Sequence, residues 1–70
     1  MTADEVRRVA AELGIPVTLL GVRAADMHRL LGVSLSTWHA ARRAGRIPPS
    51  RTFGARRFFD VADIAKFLSE

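Results

Sequence analysis

Residues 27–45, MHRLLGVSLSTWHAARRAG, contain two helical patterns that are separated by a glycine. The spacing of the apolar residues predicts a helix over Val22–Leu31, and Gly32 follows it, where a left-handed residue commonly ends a helix. Ser34 is a favoured N-cap residue, so we expect a second helix that continues to about Ala44. Two helices joined by so short a connection form a helix-turn-helix.

Beyond the second helix the sequence predicts an Arg-rich β-hairpin. Ile47-Pro48-Pro49 is expected to be extended, because the residue before a proline avoids the helical region. Two short segments, Arg51–Phe53 and Arg56–Phe59, are rich in Arg and Phe and flank Gly54-Ala55. Two such segments around a glycine-containing pair predict a hairpin with a tight turn.

Further elements are predicted on either side of this region. Thr2 is followed three residues later by Glu5, which is the pattern of a capping box and predicts a helix over Met1–Leu13. Val17–Leu20 is apolar and partly β-branched, so it is a candidate strand. Asp60 is expected to cap a last helix over Val61–Ser69.

The order of these elements, a helix-turn-helix followed by a basic hairpin, is that of a winged helix. We therefore predict a mainly α fold with a small β-hairpin: a winged helix-turn-helix at residues 17–70 and an additional accessory helix at residues 1–14. A length of 70 residues allows one small domain.

Several motifs resemble the small MerR-like winged-helix proteins, which include phage excisionases and AlpA-type regulators. The resemblance covers about residues 19–68, and the motifs that carry it are LLGVRAA at 19–25, LLGVS at 30–34, STW at 36–38, RAGRIP at 43–48 and GARRFF at 54–59. It implies an excisionase, or recombination directionality factor, whose copies bind DNA cooperatively, bend it and help assemble an integrase complex. A transcription regulator of the AlpA type would use the same surface.

The positive charge is concentrated in the middle of the sequence. Residues 27–59 hold seven Arg and no acid, whereas residues 1–26 and 60–70 carry net charges of −1 and −2. Ten of the eleven basic residues are Arg, whose forked donors suit phosphates and guanine edges. This segregation predicts one strongly basic face that binds double-stranded DNA.

The candidate DNA-binding residues lie on the second helix of the pair and on the hairpin. Those on the helix, which we expect to enter the major groove, are Ser36, Thr37, His39, Ala40, Arg42 and Arg43. Those on the hairpin and its approach are Arg46, Arg51, Arg56 and Arg57. Arg43 is suited to a guanine or a phosphate, the two hydroxyls to phosphates, and Arg56 at the hairpin tip to the minor groove.

The apolar residues suggest a core and leave some alternatives open. Helical spacing directs Trp38 to the core, together with Ala41. Phe53, Phe58 and Phe59 are expected to form a hydrophobic underside of the wing, the alternative being a stacking platform for single-stranded nucleic acid. The Val6, Val9 and Leu13 stripe of the first helix would pack on the domain's own core or contact a neighbouring copy or a partner.

Other functions are less compatible with the sequence. It has no Cys, and His28 and His39 are eleven residues apart, so we expect no metal and no cofactor. It shows no acid/base pair, nucleophile or phosphate loop, so we expect no enzyme. With no signal segment and no long apolar run, we expect a cytoplasmic, bacterial or phage-encoded protein without membrane contact. Leu35, an apolar residue at a helix start, favours a second class, a small protein-interaction module that acts as an inhibitor or adaptor.

Overall fold

The computed structural model describes residues 1–70 as four helices and one three-stranded antiparallel sheet. In chain order the elements are α1 (Ala3–Glu12), β1 (Val22–Arg23), α2 (Ala24–Leu31), α3 (Leu35–Arg43), β2 (Arg51–Phe53), β3 (Arg56–Phe59) and α4 (Val61–Leu68). Helices α2 and α3 are the helix-turn-helix, and β2 and β3 are the wing. The predicted winged helix-turn-helix with an additional N-terminal helix is therefore confirmed.

Local hydrogen bonds explain where the helices begin and end. The Glu5 N–H donates to the Thr2 hydroxyl at 3.2 Å and the Thr2 N–H donates to the Glu5 carboxylate at 3.0 Å, which completes the predicted capping box. The Ser34 hydroxyl accepts from the Thr37 N–H at 3.1 Å and caps α3. Gly32 ends α2 with φ of +72°, so the connection between the two helices consists of three residues, as predicted.

The sheet has the order β1-β3-β2, so β3 is central and bonds to both neighbours. The predicted strand at Val17–Leu20 is wrong, because these residues form a turn in which Thr18 and Gly21 bond to each other's backbone at 2.9 and 3.0 Å. The first strand is Val22–Arg23 instead, and α2 begins two residues later than predicted. Pairing of Val22 with Phe59 outweighs the helical pattern that Val22 shares with α2.

The core lies between α1, α4, the helix pair and one face of the sheet. It consists of ten buried residues: Val6, Ala10, Ile15, Val22, Met27, Trp38, Phe59, Val61, Ile64 and Ala65. The rings of Trp38 and Phe59 meet edge to face with centroids 5.6 Å apart, which fixes α3 against the sheet. Trp38 is thus a core residue as predicted, and Ala41 is half-buried beside it.

Helix α1 packs against α4 and contributes Val6 and Ala10 to the core, which matches the first of the two alternatives for its apolar stripe. Val9 is half-buried and Leu13 is exposed at the edge. Arg29 of α2 donates a hydrogen bond to the Leu13 carbonyl at 2.8 Å. This bond ties the end of α1 to the helix-turn-helix.

The prediction that three Phe residues form the underside of the wing is wrong for one of them. Phe59 and Phe58 are buried, whereas Phe53 is 71% exposed. Side chains alternate between the two faces of a strand, and directly paired residues share a face. Phe59 therefore joins the core with Val22, while Phe53 lies on the opposite face of the sheet, opposite Arg56.

Asp60 occupies the N-cap position of α4 as predicted, but its side chain makes no capping hydrogen bond. Its carboxylate lies 3.7 Å from the Arg51 guanidinium instead. The backbone carbonyl of Asp60 still accepts from the Ile64 N–H at 2.9 Å. The sequence thus places the start of this helix correctly and assigns the carboxylate the wrong partner.

Candidate nucleic-acid interface

One side of α3 faces solvent because Trp38 anchors the other side in the core. Five of the six predicted α3 residues are exposed: Ser36, Thr37, His39, Ala40 and Arg43. Arg42 is half-buried, at the edge of this side. The exposed side of α3 therefore presents a mixture of small, hydroxyl and basic side chains.

Thr37 is exposed and also takes part in the cap of α3. Its hydroxyl oxygen accepts a hydrogen bond from the Ser34 hydroxyl at 2.9 Å, and its backbone N–H donates to the Ser34 hydroxyl oxygen at 3.1 Å. Because the Thr37 oxygen acts as an acceptor, its own O–H is free to donate to an external oxygen. The cap thus orients a donor at the start of the exposed helix.

The C-terminal half of α3 and the wing form an open cleft of about 320 Å³. Its lining residues are His39, Arg42, Arg43, Ile47 and Arg57. Three guanidiniums and an imidazole converge here, and no carboxylate lines the cleft. The fold therefore joins the predicted helix residues to the predicted wing residue Arg57, which follows them in sequence by fourteen or more positions. Such a set of donors suits an anionic ligand with several oxygens.

A second, smaller cleft of about 170 Å³ lies between the wing and the beginning of α2. It is lined by Arg23, Ala24, Ala25, Arg56 and Arg57. Arg23, which stands in the first strand and precedes α2 directly, is not among the residues predicted from the sequence. A prediction of the first strand at Val22–Arg23 would have placed Arg23 beside the wing, because that strand pairs with β3.

Two predicted wing residues lie outside both clefts. Arg46 is exposed in the segment that follows α3. Arg51 is exposed on β2 and forms the ion pair with Asp60. Exposed pairs of this kind contribute little to stability, so Arg51 remains available for a phosphate at small cost.

Most Arg side chains of the basic face form no ion pair. The three ion pairs are Arg7 with Asp4, Arg29 with Asp26, and Arg51 with Asp60. On α3, in the segment after it and on the wing, the guanidiniums that have no carboxylate within 4 Å belong to Arg42, Arg43, Arg46, Arg56 and Arg57. This uncompensated charge produces a positive potential across α3 and the wing.

A helix-turn-helix with an exposed second helix and an adjacent basic hairpin defines a class, the winged helix-turn-helix domains, for which DNA binding is the indicated activity. A family model described as a helix-turn-helix domain matches residues 22–70, from β1 to the end of the chain. The chain belongs to this helix-turn-helix domain family. No curated protein and no solved structure matches the chain.

The structure contains neither a membrane-spanning helix nor a cluster of metal ligands. None of the helices combines the length and the apolar character that crossing a membrane requires. Nowhere do three or more His, Asp or Glu side chains come together as ligands for a metal ion.

Proposed function

We propose that the protein binds double-stranded DNA with α3 in the major groove and the wing in the adjacent minor groove. The observation that carries the proposal is the acid-free cleft in which His39, Arg42 and Arg43 of the helix meet Arg57 of the wing. A duplex presents phosphates on both sides of each groove, so a basic helix beside a basic hairpin matches its backbone. In this role the protein acts by binding alone, without a cofactor.

The residues divide into those that position the domain and those that contact bases. Arg43 and His39 lie on the exposed side of α3, where they can reach base edges, and the Ala40 methyl suits the methyl group of thymine. The hydroxyls of Ser36 and Thr37 are donors for phosphates. The remaining phosphate contacts on the helix edge, its approach and the wing are assigned to Arg42, Arg46, Arg51 and Arg57, and the minor-groove contact to Arg56.

The resemblance to excisionases supports a biological role in recombination. We propose a recombination directionality factor that binds neighbouring sites cooperatively, bends the DNA and works with an integrase in the cytoplasm. An AlpA-type transcription regulator is the second candidate, because it would use the same face. Footprinting on attachment-site DNA and on promoter DNA separates the two: protection of adjacent sites near the recombination core supports the excisionase, and protection confined to a promoter contradicts it.

A function of another class, a protein-interaction module, is favoured by one observation. Leu35 is 49% exposed at the first position of α3, where it interrupts the polar surface. A protein partner bound at this side chain would cover the start of α3, the helix that the DNA-binding proposal places in the major groove. Failure to shift random-sequence duplex DNA in a gel at low salt would support this class and contradict DNA binding.

Arg43→Ala tests the assignment of the helix face. We expect it to weaken duplex binding by about 1–3 kcal/mol, roughly 5- to 150-fold, because it removes a forked donor from the exposed helix. Arg8→Ala is the matched control, since Arg8 is an exposed Arg on α1. Equal affinities of both variants and the wild type in a gel-shift titration would remove Arg43 from the interface.

A further inference from the structure

Phe53 is the exposed aromatic side chain of the wing. It is the last residue of β2, directly before the Gly54-Ala55 turn, and 71% of it is exposed. Only Gly54, with φ of +62°, and Ala55 connect the two strands, so the turn is tight. The strands remain paired up to Phe53 and Arg56. The ring is therefore held at the tip by a short, paired hairpin.

The register places this ring among positive charges. Phe53, its partner Arg56, and the Arg51–Phe58 pair share one face of the sheet. Phe58 is only 7% exposed, so the apolar surface on that face is concentrated at the tip. Of the three ion pairs, one involves this face, that of Arg51 with Asp60. An exposed aromatic ring beside Arg side chains suits a ligand that combines negative charges with an apolar interior.

The stacked bases of a DNA duplex are such an interior, lined on both sides by phosphates. Proteins that kink DNA from the minor groove insert apolar side chains, Phe and Leu among them, between neighbouring base pairs. A platform for single strands instead stacks successive bases on several aromatic rings. Phe58 and Phe59 are buried, so the wing offers one ring, which matches a wedge and not a platform.

We propose that Phe53 is a wedge that enters the minor groove, partly unstacks one base step and kinks the duplex, while Arg56 beside it holds the groove. This inference rests on the proposed DNA binding and adds the residue responsible for bending and for part of the sequence preference. Pyrimidine–purine steps such as TA unstack at the lowest cost, so the wing selects such a step without hydrogen bonds to its bases.

The test compares Phe53→Ala, Phe53→Leu and the wild type on a duplex of about 25 base pairs rich in TA steps, with a fluorescent dye at each end. We expect energy transfer between the dyes to rise when the wild type binds, because bending shortens the distance between the ends. Phe53→Ala should lose most of this rise, while its affinity falls by no more than about tenfold. Phe53→Leu, which keeps an apolar wedge, should retain part of it.

A mismatched duplex gives a second readout, since the base step at a mismatch is already partly unstacked and costs less to open. The wild type should prefer the mismatched duplex to the matched one, and Phe53→Ala should show no preference. Leu19→Ala is the matched control, because Leu19 is fully exposed but lies in the turn before β1. It should bind and bend DNA as the wild type does.

The possible failures are distinguishable. If Phe53→Ala binds and bends duplex DNA as the wild type does, the wedge is wrong and the proposed DNA binding stands. If Phe53→Ala bends DNA normally but loses cooperativity between copies, Phe53 contacts a neighbouring protein and the wedge is again wrong. If the wild type binds no duplex at low salt, the proposed function itself fails and the wedge with it.

Discussion

Gly21 shows how one residue without a side chain determines the path of the backbone. Its φ is +110°, and a Cβ atom there would overlap the carbonyl group of Phe59 and the Cα atom of Asp60. The turn before β1 can therefore approach the end of β3 only with glycine at this position. This close contact sets the pairing of β1 with β3 and thereby the orientation of the wing relative to the helix-turn-helix.

Gly21→Ala should destabilise the fold by about 3 kcal/mol or more, because it adds a clash with backbone atoms to the strain of a positive φ. Gly45→Ala is the control, since Gly45 has φ of +73° but open space around the added Cβ atom. We expect that control to cost only about 1 kcal/mol. Urea unfolding followed by circular dichroism measures both values, and equal losses would show that the close approach contributes nothing.

Single residues of the site were predictable where charge alone identified them. The Arg residues of α3 and the wing follow from an acid-free segment, and the structure brings Arg43 and Arg57 to one cleft. Phe53 was assigned to the wrong surface because composition does not show how far a hairpin extends beyond the core. Strand alternation separates Phe53 from Phe59 once the register is known.

Elements with strong local signals were predictable to within one or two residues. The capping box of α1, Ser34 before α3 and Gly32 after α2 act through hydrogen bonds to near neighbours, so the sequence carries them directly. The first strand was not predictable, because two residues, Val22–Arg23, show no alternation. It exists through pairing with Phe58 and Phe59, more than thirty residues away.

The capping box makes the stability of α1 depend on pH. Two hydrogen bonds lower the pKa of Glu5 below its ordinary value of 4.5. The larger effect comes from the bond with the Thr2 backbone N–H, and the smaller from the bond with the Thr2 side chain. The pKa of Glu5 is lower in the folded state than in the unfolded state. The contribution of its carboxylate to the stability of the fold is therefore complete above about pH 4.5 and is lost as the pH falls through the lowered pKa. The thermal midpoint should therefore decrease in that acidic range.

Glu5→Gln should remove this part of the pH dependence and keep much of the cap, since Gln also accepts from the N-cap backbone. Glu12→Gln is the matched control, an exposed Glu of the same helix that takes no part in the capping box. Thermal melts between pH 3 and 7 compare the three proteins. Curves of identical shape for Glu5→Gln and the wild type would contradict the role of this carboxylate.

The whole molecule combines a small shared core with a strongly uneven distribution of charge. Helices α1 and α4, from the acidic ends of the sequence, pack against each other, while the acid-free segment supplies α3 and the wing. The family model begins at residue 22, after α1, yet α1 provides Val6 and Ala10 to the ten-residue core. We therefore expect the helix to be needed for folding and not only for contacts with other proteins.

Deletion of residues 1–14 should abolish the cooperative thermal transition or lower its midpoint strongly. A domain of this size has a total stability of about 4–10 kcal/mol, and each large buried apolar side chain contributes about 1.5–3 kcal/mol. The deletion removes Val6 and Ala10 from the core and removes the bond between Arg29 and Leu13. Leu13→Ala, at an exposed site, should change the midpoint little. A truncated chain that melts like the full one would show that folding does not require α1.

The salt dependence of binding to random-sequence duplex DNA tests the proposed basic face most directly. If roughly four to six Arg side chains contact phosphates, the logarithm of the association constant should fall with the logarithm of salt concentration with a slope of about −4 to −5. A titration by fluorescence anisotropy at several salt concentrations measures this slope. Absence of binding at low salt, or an affinity that does not change with salt, would contradict the assignment of α3 and the wing as a DNA-binding surface.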